Sequence, residues 1–202
     1  MRDYKIIFNH QNFKKIEENI WVIEKFLTKE ECQQYVDTAE STEEEVWWSK
    51  NSGWYDGKYL DISNRPIYNT VNLIAKRFQD LFEYKEEYHF GAPVSIHRIH
   101  PGQGMFVHAD FTELDNLKEE YILFNGAMYH NEFEGGALFY PELGIEYKPS
   151  PGDLVMHPGT SKYKHGVTEV IGTQTRYMSN IWVADKLGYS IKTSGNLDMT
   201  NG

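Results

Sequence analysis

Cysteine is nearly absent from this chain. Its single thiol, Cys32, can close no intramolecular disulfide and can build no thiolate zinc cluster. Long apolar runs are missing too: nothing approaches the ~20 residues that span a bilayer. The opening Met1-Arg2-Asp3-Tyr4-Lys5-Ile6-Ile7 lacks the apolar core of a secretory signal. These absences point away from a membrane and toward a reducing, cytoplasmic setting. Positive charge is also in deficit. Twenty Lys and Arg against 30 Asp and Glu leave a net charge of −10. Phosphate-backbone binding relies on Lys and Arg displacing counterions, so nucleic acid is not an expected partner. There is no internal repeat, low-complexity tract or obvious linker.

What is present suits one ordinary domain. The chain has 202 residues, 40% hydrophobic and 15% aromatic, a size at which folding buries about 70% of the unfolded surface. Ile20–Leu27 reads as a short strand. Thr28-Lys29-Glu30-Glu31 is a capping-box pattern that starts a helix running to about Glu40. A second helix over Ile67–Phe82 follows from Ile67, Val71, Ile74, Phe78 and Leu81, which recur at spacings of three and four.

After Gly91 the pattern changes to short strands punctuated by Pro-Gly and Gly-Gly turns. They read as Val94–His100, Met105–Asp110, Tyr121–His130, Gly136–Tyr140, Ile145–Lys148, Asp153–His157, Val167–Ile171 and Arg176–Ala184. Eight closely spaced strands suggest a mainly β protein, a double-stranded β-helix or jelly roll, with the N-terminal helices packed on one of its sheets. The expected layout is residues 1–90 as N-terminal strand and supporting helices, 91–190 as jelly-roll core and 191–202 as polar tail. The aromatic stretch from Val46-Trp47-Trp48 to Gly53-Trp54-Tyr55-Asp56-Gly57 has no clean period. It is either a loop folded back on the core or a lid over a substrate.

The chemistry centres on His108-Ala-Asp110, with His165 and Arg176 far downstream. Residues two apart on a strand point to one face. Two imidazoles and a carboxylate can hold Fe(II) there and leave open positions. His130-Asn131-Glu132 is a second His-x-carboxylate pair, and His97 and His157 are further candidates for a supporting role.

Four segments, in order, resemble the Fe(II)- and 2-oxoglutarate-dependent dioxygenases, specifically the prolyl 4-hydroxylase-like branch. They are His100-Pro101-Gly102-Gln103 leading to Phe106-Val107-His108-Ala109-Asp110; Met128-Tyr129-His130-Asn131 leading to Glu134-Gly135-Gly136; Pro151-Gly152-Asp153-Leu154-Val155; and His165-Gly166-Val167 followed by Arg176-Tyr177 and Trp182. The resemblance covers about Pro93–Ala184. It implies His108, Asp110 and His165 as iron ligands, 2-oxoglutarate chelated through its keto and C1 carboxylate oxygens, and O2 as oxidant. Succinate and CO2 would be released, and ascorbate would be a possible reductant.

By the same resemblance Arg176 would bind the distal carboxylate of 2-oxoglutarate, a role that suits a planar guanidinium, and Tyr129 would share it. His100 stands where relatives often have Tyr and is a candidate donor to 2-oxoglutarate. Trp182 is a candidate pocket wall. Asp110 occupies the position that halogenating relatives leave open, so hydroxylation is expected. The implied substrate is a peptidyl side chain, with proline foremost. A free amino acid or other small metabolite, or a catalytically silent metal-binding jelly roll that recruits a partner, remain the alternatives. Oligomeric state is not legible.

Overall fold

The computed structural model describes residues 13–49, 57–83, 86, 88–110 and 122–185. The expected tail at 191–202, and Gly53 to Asp56 of the aromatic stretch, lie outside the described residues. β1 (Phe13–Glu17) and β2 (Ile20–Ile23) form a hairpin ahead of α1 (Lys29–Glu40), and β3 (Trp48–Ser49) and β4 (Lys58–Asp61) precede α2 (Tyr68–Gln79). Then come β5 (Tyr88–Phe90), β6 (Ser95–Ile99), β7 (Met105–His108), β8 (Ile122–Tyr129), β9 (Glu134–Gly135), β10 (Leu138–Tyr140) and β11 (Ile145–Tyr147). The last strands are β12 (Leu154–His157), β13 (His165–Val167), β14 (Val170–Ile171) and β15 (Arg176–Asp185).

The strands make a jelly roll. A nine-stranded sheet runs β1-β2-β12-β8-β15-β6-β4-β3, with β5 also on β15. A four-stranded sheet runs β11-β10-β13-β7, and β14 pairs with β9. Period-two alternation divides the large sheet into two faces. Ile23, Met128, Leu154, Met156, Ile181 and Val183 pack outward against α1 and α2. Val22, Tyr129, Val155 and Met178 point inward, where they meet Leu138, Tyr140 and Val167 of the small sheet. Both faces are buried, which is why the central strands read as near-continuous apolar runs.

The helices start and dock where the sequence indicates. The Thr28 side chain accepts from the Glu31 amide at 3.2 Å, and the Glu31 carboxylate accepts from the Thr28 amide at 2.8 Å, a reciprocal cap worth about 1 kcal/mol. Arg77 on α2 then donates to both carboxylate oxygens of Glu31, at 2.8 and 2.6 Å, and to the Phe26 carbonyl at 2.8 Å. Burial works to raise the Glu31 carboxyl, but Arg77 and the Thr28 amide outweigh it and hold it below its ordinary value.

Three departures from the sequence reading have local causes. The first strand stops at Ile23 because Lys25 turns the chain through a left-handed φ of 55°. Val167–Ile171 splits in two. Thr168 N–H bonds the Ala137 carbonyl and Gly136 N–H bonds the Glu169 carbonyl, both at 2.9 Å, which carries the chain from β10 to β9. The strand expected to reach Asp110 ends at His108, and Asp110 sits in the bend beyond it.

Candidate active site

β7 and β13 bring the two histidines together. They pair antiparallel with His165 directly opposite His108, and two residues further on Val167 faces Met105, so β7 carries one extra residue. That bulge leaves Phe106 63% and Val107 44% exposed, and such bulges re-aim the side chains beside them. Gly166 faces it. A Cβ there would lie 2.7 Å from the Phe139 ring and 2.8 Å from the Met105 carbonyl oxygen, so the close approach of β7 to β13 requires glycine.

Asp110 completes the cluster from the bend. The ligating atoms of His108, Asp110 and His165 all lie within 4.8 Å of one another, and among the described residues no other His, Cys, Asp and Glu side chains form such a group. Both His108 Nε2 and His165 Nε2 are 3.9 Å from Asp110 Oδ1.

The rings are fixed from behind. His108 Nδ1 is 3.0 Å from the Phe106 carbonyl and His165 Nδ1 is 3.1 Å from the Tyr163 carbonyl. A carbonyl only accepts, so each Nδ1 carries the hydrogen and each Nε2 lone pair is left to face Asp110.

Charge states follow from the surroundings. Burial and the neighbouring His157 push His165 below its ordinary value, so it is a neutral imidazole at pH 7. Burial works to raise Asp110, but the surrounding His165, His157, Asn125 and His108 outweigh it and keep the carboxylate ionised. Two imidazoles and one carboxylate on one side of a cavity are the donor set a ferrous ion takes. Asp110 Oδ2 is buried with no hydrogen-bond partner, as suits a carboxylate meant for a cation.

The same cavity has an anion-binding end. Arg176, at the start of β15, is 1% exposed. Its Nε and Nη1 atoms are buried with no hydrogen-bond partner, as is the Tyr129 hydroxyl. The guanidinium carbon lies 5.0 Å from the Tyr129 ring and 5.5 Å from the Phe133 ring. Burial pushes the Tyr129 hydroxyl pKa up, and Arg176 offsets part of the rise. Gly136, with φ of 58°, leaves room, since a Cβ there would come within 3.1 Å of Arg176 Cδ. A buried guanidinium of this kind calls for a bidentate anion, and a carboxylate meets that need. The residues present therefore fit Fe(II) at the triad and 2-oxoglutarate between the triad and Arg176.

Two expected contributors lie elsewhere. His100 follows β6, where His97 faces the cavity and Ile99 joins the inward cluster. One residue on, parity turns His100 outward. There it hydrogen-bonds Thr175 Oγ1 at 2.9 Å, and burial with nearby Arg98 lowers its pKa. Trp182 has the right parity but lies six residues along β15 from Arg176, about 20 Å of strand. Its indole packs on Gly91, where a Cβ would come within 2.3 Å, and is 5.6 Å from the His89 ring. Neither residue lines the cavity.

The rival pair also points away. His130 bonds Ser179 Oγ at 2.8 Å and stacks on Tyr35 at 4.1 Å, on the helix side of the large sheet. Trp47 is buried and Trp48 is 51% exposed and stacked on Tyr59, so this part of the aromatic stretch divides between core and surface.

Sequence reasoning passed over Asn125, Asn180 and Tyr59, all of which line the cavity. Counting in twos from Tyr129 and Arg176 would have found the two asparagines. His157 and His97, expected as supporting residues, line it as well. His157 Nδ1 lies 3.9 Å from Asp110 Oδ2.

Comparison with known proteins agrees with this geometry. Residues 94–184 match the model of the 2OG-Fe(II) oxygenase superfamily. No curated protein sequence matches the chain. Among solved structures it is similar to the viral collagen prolyl hydroxylase of Paramecium bursaria Chlorella virus-1 in its 2OG complex, at 17% identity and a TM-score of 0.63, covering 83% of this chain and 96% of that one. It is similar to a prolyl-4-hydroxylase of Pseudomonas putida, at 15% identity and a TM-score of 0.61, covering 83% and 93%. A third likeness is to a Trichoplax adhaerens prolyl hydroxylase in complex with a hypoxia inducible factor peptide fragment, at 15% identity and a TM-score of 0.62, covering 92% and 90%. At these identities the likeness is one of fold. Among the described residues, no helix is long and apolar enough to cross a membrane.

Proposed function

Because residues 94–184 make this chain a member of the 2OG-Fe(II) oxygenase superfamily, a non-haem iron dioxygenase, we propose that it hydroxylates an aliphatic carbon of a peptidyl side chain, with proline the leading substrate. The observation that carries the reading is the pairing, in one cavity, of the His108–Asp110–His165 triad with the buried, hydrogen-bond-free Nε and Nη1 of Arg176. The prolyl hydroxylases named above share the fold and support the choice of substrate. When bound, Fe(II) with 2-oxoglutarate and O2 supplies the oxidant, the co-substrate leaving as succinate and CO2 while one oxygen atom enters the substrate C–H bond.

The protein's own residues do the rest. His108 and His165 present their Nε2 atoms as donors, and the ionised Asp110 contributes the negative charge. Arg176 and Tyr129 orient 2-oxoglutarate by its distal carboxylate, so that its keto-acid end lies toward the triad. The walls of Leu138, Val167 and Met178 exclude water around the reacting carbon. Ascorbate as an external reductant and a reducing cytoplasmic setting belong to the same reading, consistent with a lone, buried Cys32 thiol.

The test is succinate release and product mass with capped proline peptides and with free L-proline. Peptide-stimulated succinate release, with one oxygen added to proline, is the expected result. Stimulation by free L-proline alone would transfer the reading to a metabolite hydroxylase. If 2-oxoglutarate were turned over as fast by Asp110→Ala as by the native protein, the triad assignment would fail.

A further inference from the structure

Arg176, Met178 and Asn180 of β15 all face the cavity, and their exposure rises along the strand. Arg176 is 1% exposed, Met178 5%, and Asn180 is exposed. Each pair of residues advances a strand by about 7 Å, so the Asn180 backbone lies about 13 Å from that of Arg176, at the open end. Across the pairing with β8, Tyr129 stands opposite Met178 and Ala127 opposite Asn180. Arg176 and Tyr129 thus form the closed end of a polarity ruler, and Asn180 marks the mouth, beyond the length that 2-oxoglutarate occupies.

Asn125 also borders the mouth, but it serves Asp110, whose carboxylate it helps keep ionised. The Asn180 side chain makes no hydrogen bond among the described residues. Apart from the triad and Arg176, the described residues lining the cavity include no Lys, Arg, Asp or Glu. Arg176 is committed to the co-substrate carboxylate. A free amino acid would bring an ammonium and a second carboxylate against a lining whose described residues offer no further counter-charge, and desolvating an unpaired charge is costly. A peptide brings only neutral C=O and N–H groups, which one primary amide can both donate to and accept from.

We propose that Asn180 is the substrate-reading residue: its side-chain amide hydrogen-bonds a main-chain amide of the peptide, a contact that favours a peptide over a free amino acid. This rests on the peptidyl hydroxylase reading and adds the residue that enforces it. Asn180 acts on the segment beside the reacting residue, so its loss weakens peptide binding more than turnover at saturation.

The experiment is calorimetric titration, under anaerobic conditions, of protein loaded with Mn(II) and 2-oxoglutarate. The titrants are a pool of acetyl-Xaa-Pro-Yaa-amide peptides and free L-proline. The native protein should bind capped peptides and not L-proline. Asn180→Leu, which keeps the branched heavy-atom outline but cannot hydrogen-bond, should weaken peptide binding about 10-fold. Asn180→Asp supplies a partner for an ammonium and should shift the preference toward L-proline, a change that a merely structural asparagine would not produce. Native-like peptide affinity in Asn180→Leu, with native peptide binding intact, overturns the assignment and leaves peptidyl hydroxylation standing. If native protein holding 2-oxoglutarate binds no capped peptide, or binds L-proline as well as any peptide, the assignment falls together with the reading beneath it.

Discussion

Replacing Arg176 with Met tests its proposed role as co-substrate anchor apart from the fold, because the two consequences differ in size. In the ligand-free protein the guanidinium is 1% exposed and has two nitrogens without a hydrogen-bond partner. Removing it relieves roughly 1–3 kcal/mol of uncompensated desolvation. It also forfeits contacts with the Tyr129 and Phe133 rings, at about 0.5–2 kcal/mol each. The two nearly cancel, so the ligand-free variant should unfold within about 4 °C of the native protein.

Ligand binding should change far more. At 2-oxoglutarate and Mn(II) concentrations of about 100 times Kd, the native protein gains about 2.7 kcal/mol, or roughly 5–10 °C. Losing the charged partner of a buried carboxylate costs about 3–5 kcal/mol, which raises Kd by about two to four orders of magnitude. The same ligand concentration then stabilises the variant by at most about 0.4 kcal/mol. Scanning calorimetry with and without ligand reads both effects. A variant that keeps the ligand-induced shift, or that loses several kcal/mol of ligand-free stability, would refute the reasoning. The first result would place the carboxylate elsewhere; the second would mean that Arg176 is satisfied by the protein itself.

Two further outcomes follow from the packing around the site. Burial lowers the His130 pKa to about 3, with His97 adding to the shift. The folded protein therefore resists the proton that the unfolded chain takes up near pH 6.5, so this contribution is full above that value and is lost as pH falls. Between pH 7 and pH 5 it amounts to about 2 kcal/mol. His130→Phe keeps the stack on Tyr35 and should flatten the pH dependence of urea unfolding by that amount; an unchanged slope would sink the idea. Gly166→Ala places a methyl against the Phe139 ring and the Met105 carbonyl, separating His165 from His108. It should weaken Mn(II) binding about 10-fold or more and cost about 1–3 kcal/mol of stability, and native metal affinity would show that the bulge absorbs the strain.

Several features were legible because they are local. Thr28 and Glu31 carry their cap within one turn, and the spacing of Val71, Ile74 and Phe78 marks a helix whatever lies beside it. Pro-Gly and Gly-Gly pairs announce turns, which bounded most of the core strands to within one or two residues. The ligand candidates His108, Asp110 and His165 were also named from the sequence, as was Arg176, and the structure brings all four to one cavity. Edge pieces such as β1, β3 and β5 were not, because their pairing depends on partners far away in the chain.

Tertiary structure alone decided how the site is filled. Parity on β6 turns His97 inward and His100 outward, a one-residue matter set by pairing with β15 and β4 and invisible in the motif itself. Length along β15 carries Trp182 past the cavity to Gly91, while Asn180 stops at its mouth. The extra residue in β7, fixed by its register with β13, aims His108 at Asp110 although Asp110 has already left the strand. The sequence by itself determined which residue types are available and where helices and turns begin, because those preferences act over a few residues. Which side chains share one cavity, which of them remain without partners, and how far the arginine lies from the mouth depend on sheet register, and register exists only once the strands have paired.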